Sequence, residues 1–226
     1  EDADRRAEAG VPEAVEFATK IVLARRMVER AVAAGVPAAW VSADAVYGSA
    51  DHFRIALENQ GLGYVAGVRS DFAVCVAWRQ VRAKALLAEV PDDGWHRLTC
   101  GDGAKGPRMY DWAVLRTNSP DPGTYVRWLL IRRSVARPED VAYFACGGPP
   151  RTTLAELVRV AGMMWVIEEC FELANGDCGL DGYEVRPWVG WHRHMTLGLF
   201  ALAAVAVIRS RVSAPRRKRG ARSWSG

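Results

Sequence analysis

The chain has 226 residues, half of them apolar and a quarter charged, with a net charge of +4 and five cysteines. This composition excludes collagen-like, coiled-coil and mainly disordered chains, and the length predicts one large domain or a core with one insertion. Cys75, Cys100, Cys146, Cys170 and Cys178 are odd in number and never spaced as CxxC, so neither a disulfide framework nor a zinc site is expected, and a reducing cytoplasm fits. The opening residues, EDADRRAEAG, hold no initiator Met and no apolar signal run, and read as the middle of a longer protein.

In chain order, Thr19 is placed as an N-cap, followed by Leu23, Ala24, Met27, Val28, Ala31 and Val32 at helical spacing and by a stop at Gly35 and Pro37. Ala38–Ala43 is a short apolar run that predicts a strand buried on both faces and ending at Asp44. Ser49 is the expected cap of a helix carrying Phe53, Ala56 and Leu57, and Gly63–Arg69 reads as a second short strand. Such α, β, α, β alternation argues for a partly parallel sheet covered by helices. Between Ser70 and Pro150, Gly and Pro clusters separate runs of β-formers such as Asp111–Thr117, Thr124–Arg132 and Val141–Cys146, predicting a mostly β insertion.

Thr153 and Glu156 form a capping-box pair that opens a long helix to about Leu173. A last helix from about Gly190 to Arg211 contains Met195–Ile208, fourteen apolar residues between His194 and Arg209. A bilayer span needs about 18–20 residues, so a buried core helix, and no membrane partner, is expected. The expected divisions are 1–69, a partial core; 70–150, the insertion; 151–212, helices completing the core; and 213–226, a disordered basic tail containing Arg216, Arg217, Lys218, Arg219 and Arg222. Such a tail suits either phosphate contact or a solvated end.

Two carboxylates stand out. Asp44 lies at the C-terminal end of a strand, the edge at which open α/β sheets bind ligands, although an Asp there also caps turns. Glu168 shares a helical stripe with Leu154, Leu157, Ala161, Met164 and Trp165, which places it on the apolar side. A carboxylate so placed pairs with a cation, shifts its pKa or binds metal. Asn175 follows on the same stripe.

A carboxylate at a strand end, another on a later helix and a β insertion between them resemble the DDE transposases of bacterial insertion sequences. The local wording agrees: GVPAAWVSADAVYG (35–48), GDGAKGPRMYDWA (101–113) and WVIEECFELANGDCGLDGYEVRPWVGWHRH (165–194) are similar to blocks of that group. The resemblance implies an α/β fold, a partial RNase H-like core with a mostly β insertion and C-terminal helices. It also implies DNA at transposon ends as substrate, and Mg²⁺ or Mn²⁺ held by three carboxylates for in-line phosphoryl transfer. Asp44 would be the second Asp and Glu168 the Glu, while the first Asp would precede this chain, leaving it catalytically incomplete.

The family's Tyr-Arg-Glu-Lys signature helix maps onto Ala161, Met164, Glu168 and Asn175, so only the Glu remains and the grip on DNA-end phosphates should weaken. Further DNA contacts are expected from Lys105, Arg108 and Trp112, and from Arg186, Arg193 and His194, each group having a packed or surface role as its alternative. His192 and His194, two apart, do not share a helix face and make a poor metal pair. The activity implied is metal-dependent cleavage and strand transfer. The alternative is a non-enzymatic DNA-binding remnant or regulator, working as a homo-oligomer or in a mixed oligomer with a full-length transposase.

Overall fold

A computed structural model describes residues 2–103 and 106–213. The contacts divide them into a unit formed by Phe17–Ile167 and a second to which the residues before and after it belong, the boundary falling inside one long helix.

The larger unit begins with α2 (Lys20–Ala33), which follows a short N-terminal helix, α1 (Ala3–Glu8). Thr19 caps α2 by accepting from the Val22 N–H at 3.3 Å, as its spacing predicts. Next come β1 (Trp40–Ala43), the single turn α3 (Ala45–Gly48), α4 (Asp51–Asn59) and β2 (Gly63–Val68). Ser49 does not cap α4. It ends α3, and α4 starts from Ala50 with no side-chain cap, because Asp44 has already claimed the preceding turn.

The segment after residue 70 supplies β3 (Ala73–Val76), β4 (Arg79–Arg82), α5 (Ala83–Leu86), β5 (His96–Gly103), β6 (Gly106–Thr117), β7 (Val126–Ser134) and β8 (Val141–Gly148). Strands β3 and β4 form a separate hairpin, and the remaining six make one sheet in the order β1-β2-β8-β7-β6-β5. Only β1 and β2 are parallel; β8 pairs antiparallel with β2, so the sheet runs straight across the expected boundary near residue 70.

Position within this sheet explains the composition of its strands. Strand β2 has a neighbour on each side and is buried along its whole length, hence GYVAGV without a charge. One face of the sheet packs Tyr64, Ala66, Leu129 and Ile131 against Phe53 and Leu57 of α4. The other packs Val65, Trp112, Leu130 and Phe144 against Leu157, Val158 and Ala161 of α6 (Leu154–Gly176). The result is a mixed α/β fold with C-terminal helices, consistent with a partial RNase H-like core.

Helix α6 starts at its expected cap, the Thr153 hydroxyl accepting from the Glu156 N–H at 3.2 Å. The capping box is only half made, since Glu156 accepts instead from the Trp40 indole N–H at 3.1 Å and ties the helix to β1. Gly162 sits so close to β5 that a Cβ there would overlap the Cys100 carbonyl oxygen.

In the smaller unit, Asp2 caps α1, and the Trp188 N–H at the start of α7 (Trp188–Ser213) donates to the Ala9 carbonyl at 2.8 Å. Leu180 is buried against Gly198, and Arg209 pairs with Asp177 at 3.3 Å. The helix expected over Met195–Ile208 forms but is not buried: Leu197, Leu199, Phe200, Val207 and Ile208 are exposed, Phe200 by 72%. Apolar residues run around the whole circumference of α7, and the short α1 and the loop before it can cover only a small part. By length and composition Trp188–Val212 is also long enough to cross a membrane, with 6% of it buried. The expected basic tail lies outside the described residues.

Candidate active site and nucleic-acid face

Asp44 occupies the expected place at the C-terminal end of β1, exposed, and its Oδ1 accepts from the Val46 and Tyr47 N–H groups at 2.9 and 3.4 Å. It therefore does cap a turn, while Oδ2 takes no part in that cap. The turn is held close to β2, because a Cβ on Gly48 would strike the Gly67 carbonyl oxygen. The carboxylate is thus placed by the two parallel strands β1 and β2.

Glu168 differs from its expected setting. The stripe of α6 is buried at Leu157 and Ala161, half-buried at Met164 and Trp165, and exposed at Glu168. Met163, Val166, Ile167 and Phe171 nearby on the helix are exposed as well, together with Glu169 and Glu172. Along this stripe burial therefore falls off from Ala161 to Glu168. Asp44 belongs to the larger unit and Glu168 to the smaller. Among the described residues no three His, Cys, Asp or Glu side chains gather as a metal-binding group, so these residues do not by themselves fit a two-ion centre.

The expected DNA contacts divide. Trp112 is fully buried, its indole N–H donating to the Leu98 carbonyl at 3.3 Å, so it is a core residue and cannot stack on a base. Period-two alternation explains this, since Trp112 on β6 faces α6 while Asp111 faces away to meet Arg97 at 2.9 Å and Arg133 at 3.5 Å. Hydrogen bonding from Arg97 holds the Asp111 carboxyl below its usual range. Lys105 lies outside the described residues. Arg108 is half-buried, donating to the Asp102 carbonyl at 2.6 Å with its guanidinium over the Trp165 ring. Asn175, Arg186 and Arg193 are exposed, whereas the His194 ring is engaged with the Leu180 carbonyl at 3.2 Å and against Tyr183.

Two further groupings were not read from the sequence. Glu58 accepts from Tyr64 at 3.0 Å and, bidentately, from Arg127 at 2.8 and 2.6 Å; burial and the Glu58 charge push the Tyr64 hydroxyl well above its ordinary pKa. Arg132 of β7, with Tyr110 and Trp165, forms a cation and aromatic group on the sheet face that carries α6. The available signal was Arg132 two residues after Leu130, an arginine on the inward face of an apolar strand.

Residues 1–89, which contain α2, β1, Asp44, α4 and β2, match the family described as DDE superfamily endonuclease. No curated protein matches the chain.

Proposed function

From the premise that residues 1–89 are those of a DDE superfamily endonuclease, in support of a DDE-type transposase, we propose that this chain acts on transposon-end DNA as part of an insertion-sequence transposase. Endonucleases of this superfamily generally use divalent metal ions. Asp44 and Glu168 are the carboxylates assigned to Mg²⁺ or Mn²⁺, and they need at least one further carboxylate to complete a two-ion centre. The observation that carries the reading is Asp44, inside the matched segment, at the C-terminal end of a strand parallel to its neighbour. Lys105, Arg108, Asn175, Arg186, Arg193 and His194 are the assigned DNA contacts, and the cytoplasm is the assigned compartment.

The 226 residues alone should bind DNA and not cut it. With a labelled transposon-end duplex and Mg²⁺ or Mn²⁺, we expect retardation that weakens steeply with salt and no nicking. Nicking that disappears in Asp44→Ala would refute the second half, and absence of binding at low salt the first.

A second reading, a non-enzymatic regulator that occupies transposon ends or joins a full-length relative in a mixed oligomer, draws support from the signature helix. Ala161 is buried and Met164 half-buried, so neither position offers a cation to phosphate. Co-purification with an active transposase, accompanied by reduced transposition, would favour it.

A further inference from the structure

The hairpin of β3 and β4 is tied down at its base and bare at its tip. Val74 is buried and Val76 and Val81 pack on the core, so the inner face is closed. At the base, the Ala83 and Lys84 N–H groups donate to the Phe72 and Ser70 carbonyls at 2.8 and 2.9 Å. Midway, the Asn118 N–H just after β6 donates to the Cys75 carbonyl at 2.7 Å. Beyond these ties stand Ala77 and Trp78, the two residues that join the strands.

Both have positive φ, 48° at Ala77 and 65° at Trp78, and among the described residues no other non-glycine does. A two-residue hairpin turn with positive φ at both positions favours Asn-Gly or Asp-Gly, because a Cβ is strained there. Packing does not repay that strain. Trp78 is 88% exposed, more than any other large apolar side chain described, and neither its ring nor its N–H has a partner among the described residues. Neither turn chemistry nor burial accounts for a tryptophan at this position; a partner that covers the ring would.

The charge around the tip selects that partner. From Phe72 to Ala88 there is no Asp or Glu, and Arg79, Arg82 and Lys84 are all exposed. Arg79 and Lys84 have no ion pair among the described residues, and Arg82 donates to the Asp71 backbone carbonyl at 2.8 Å. The Asp71 carboxylate lies 3.5 Å from Arg69. A protein partner would call for an apolar surround that keeps water from the anchor, and the outer face of the hairpin offers Ala73, Cys75, Gln80 and Arg82 instead. An indole flanked by cations suits nucleic acid, since its ring face stacks on a base of any sequence while the cations meet the neighbouring phosphates. A base inside a duplex has its faces covered by its neighbours, so the base that stacks must be unpaired.

We propose that Trp78, carried on the β3–β4 turn, is a stacking platform for an unpaired base of DNA, with Arg79, Arg82 and Lys84 holding the adjoining phosphates. This rests on the DNA-binding reading above and adds to it a preference for single-stranded or frayed DNA, through four residues not assigned there. All four belong to the larger unit.

Fluorescence anisotropy of the full chain tests this across a salt series with two labelled probes, an oligothymidylate of about twelve nucleotides and a blunt duplex. Trp78→Ala should weaken single-strand binding about tenfold and leave the slope of log K against log salt unchanged, because no charge is removed. Trp78→Phe should recover most of the loss, and the duplex should respond to either variant by less than about twofold. Arg79→Gln should instead lower the single-strand slope by about 0.7. Urea midpoints establish folding, and Trp78→Gly, which suits the positive φ, takes the place of the alanine variant if that one does not fold. In parallel, the Trp78 indole N–H resonance, identified by its loss in Trp78→Phe, should shift saturably as the oligothymidylate is added.

Equal single-strand binding by the wild type and by Trp78→Ala or Trp78→Gly overturns the platform and leaves the DNA reading standing, as does wild-type binding to the duplex alone. An equal loss on both probes overturns the preference for an unpaired base. Reduced self-association of the variant in sedimentation, with DNA binding intact, would mark the tip as a contact between copies and overturn the platform too. Failure of the wild type to bind either probe overturns the DNA reading and the platform with it.

Discussion

The sheet of the larger unit and the last helix of the smaller one are both strongly apolar, yet they use that character differently. In β7, Leu129, Leu130 and Ile131 are fully buried because each face of the strand meets a helix or hairpin. In α7, Leu197, Phe200 and Val212 stay in contact with solvent, 61, 72 and 80% exposed. Apolar composition supplies a tendency to bury, and only a partner of matching extent converts it into stability. An apolar surface as long as that of α7 is larger than single scattered hydrophobes explain.

Substitutions in the two regions should therefore differ most where the side chains look most alike. Trp112→Ala empties a fully enclosed site between β6 and α6 and should cost about 3–5 kcal/mol, seen as a fall in the urea midpoint. Glu58→Ala leaves Arg127 and Tyr64 without their shared acceptor and should cost about 2–3 kcal/mol in the same measurement. Thr153→Ala removes the cap of α6 and should cost about 1 kcal/mol.

Phe200→Ser on α7 should change the midpoint by less than about 0.5 kcal/mol while reducing self-association in light scattering. A core-sized loss at Phe200 would mean that α7 is covered in solution and would break the comparison.

Acid titration sharpens it from another side. Asp111 has its carboxyl held below the ordinary range by hydrogen bonds from Arg97 and Arg133, against an opposing effect of burial. The stability it contributes is present above the unfolded carboxylate pKa and is lost as pH falls through the lowered folded value. Asp111→Asn should accordingly be less stable than the wild type at neutral pH and converge with it in acid, with a shallower dependence of the urea midpoint on pH.

Much of the larger unit could be read in advance because its signals are local. Thr19 and Gly35 bracket α2, Thr153 opens α6, and the β-formers after residue 70 become β5 to β8. The place of Asp44 at the end of β1 was legible for the same reason, as the polar residue that ends a short apolar run. What escaped depends on partners far along the chain. Glu168 follows the periodicity of its helix, but periodicity says which residues share a face and not how far along the helix that face is buried. Trp112 looks like a base-stacking aromatic until strand alternation turns it toward α6. Arg132 acquires meaning only beside Tyr110 and Trp165, which come from another strand and a helix.

The seating of α6 on Cys100 carries a consequence for how such a chain can vary. With no room for even one methyl group at Gly162, the helix can neither rotate nor slide without lifting off the sheet, so Trp165 one turn further on is locked in azimuth. Saturation mutagenesis should recover glycine almost alone at 162, while the bare flank of α7 drifts freely among apolar and polar letters. A permissive position and a restrictive one would then lie about forty residues apart on successive long helices.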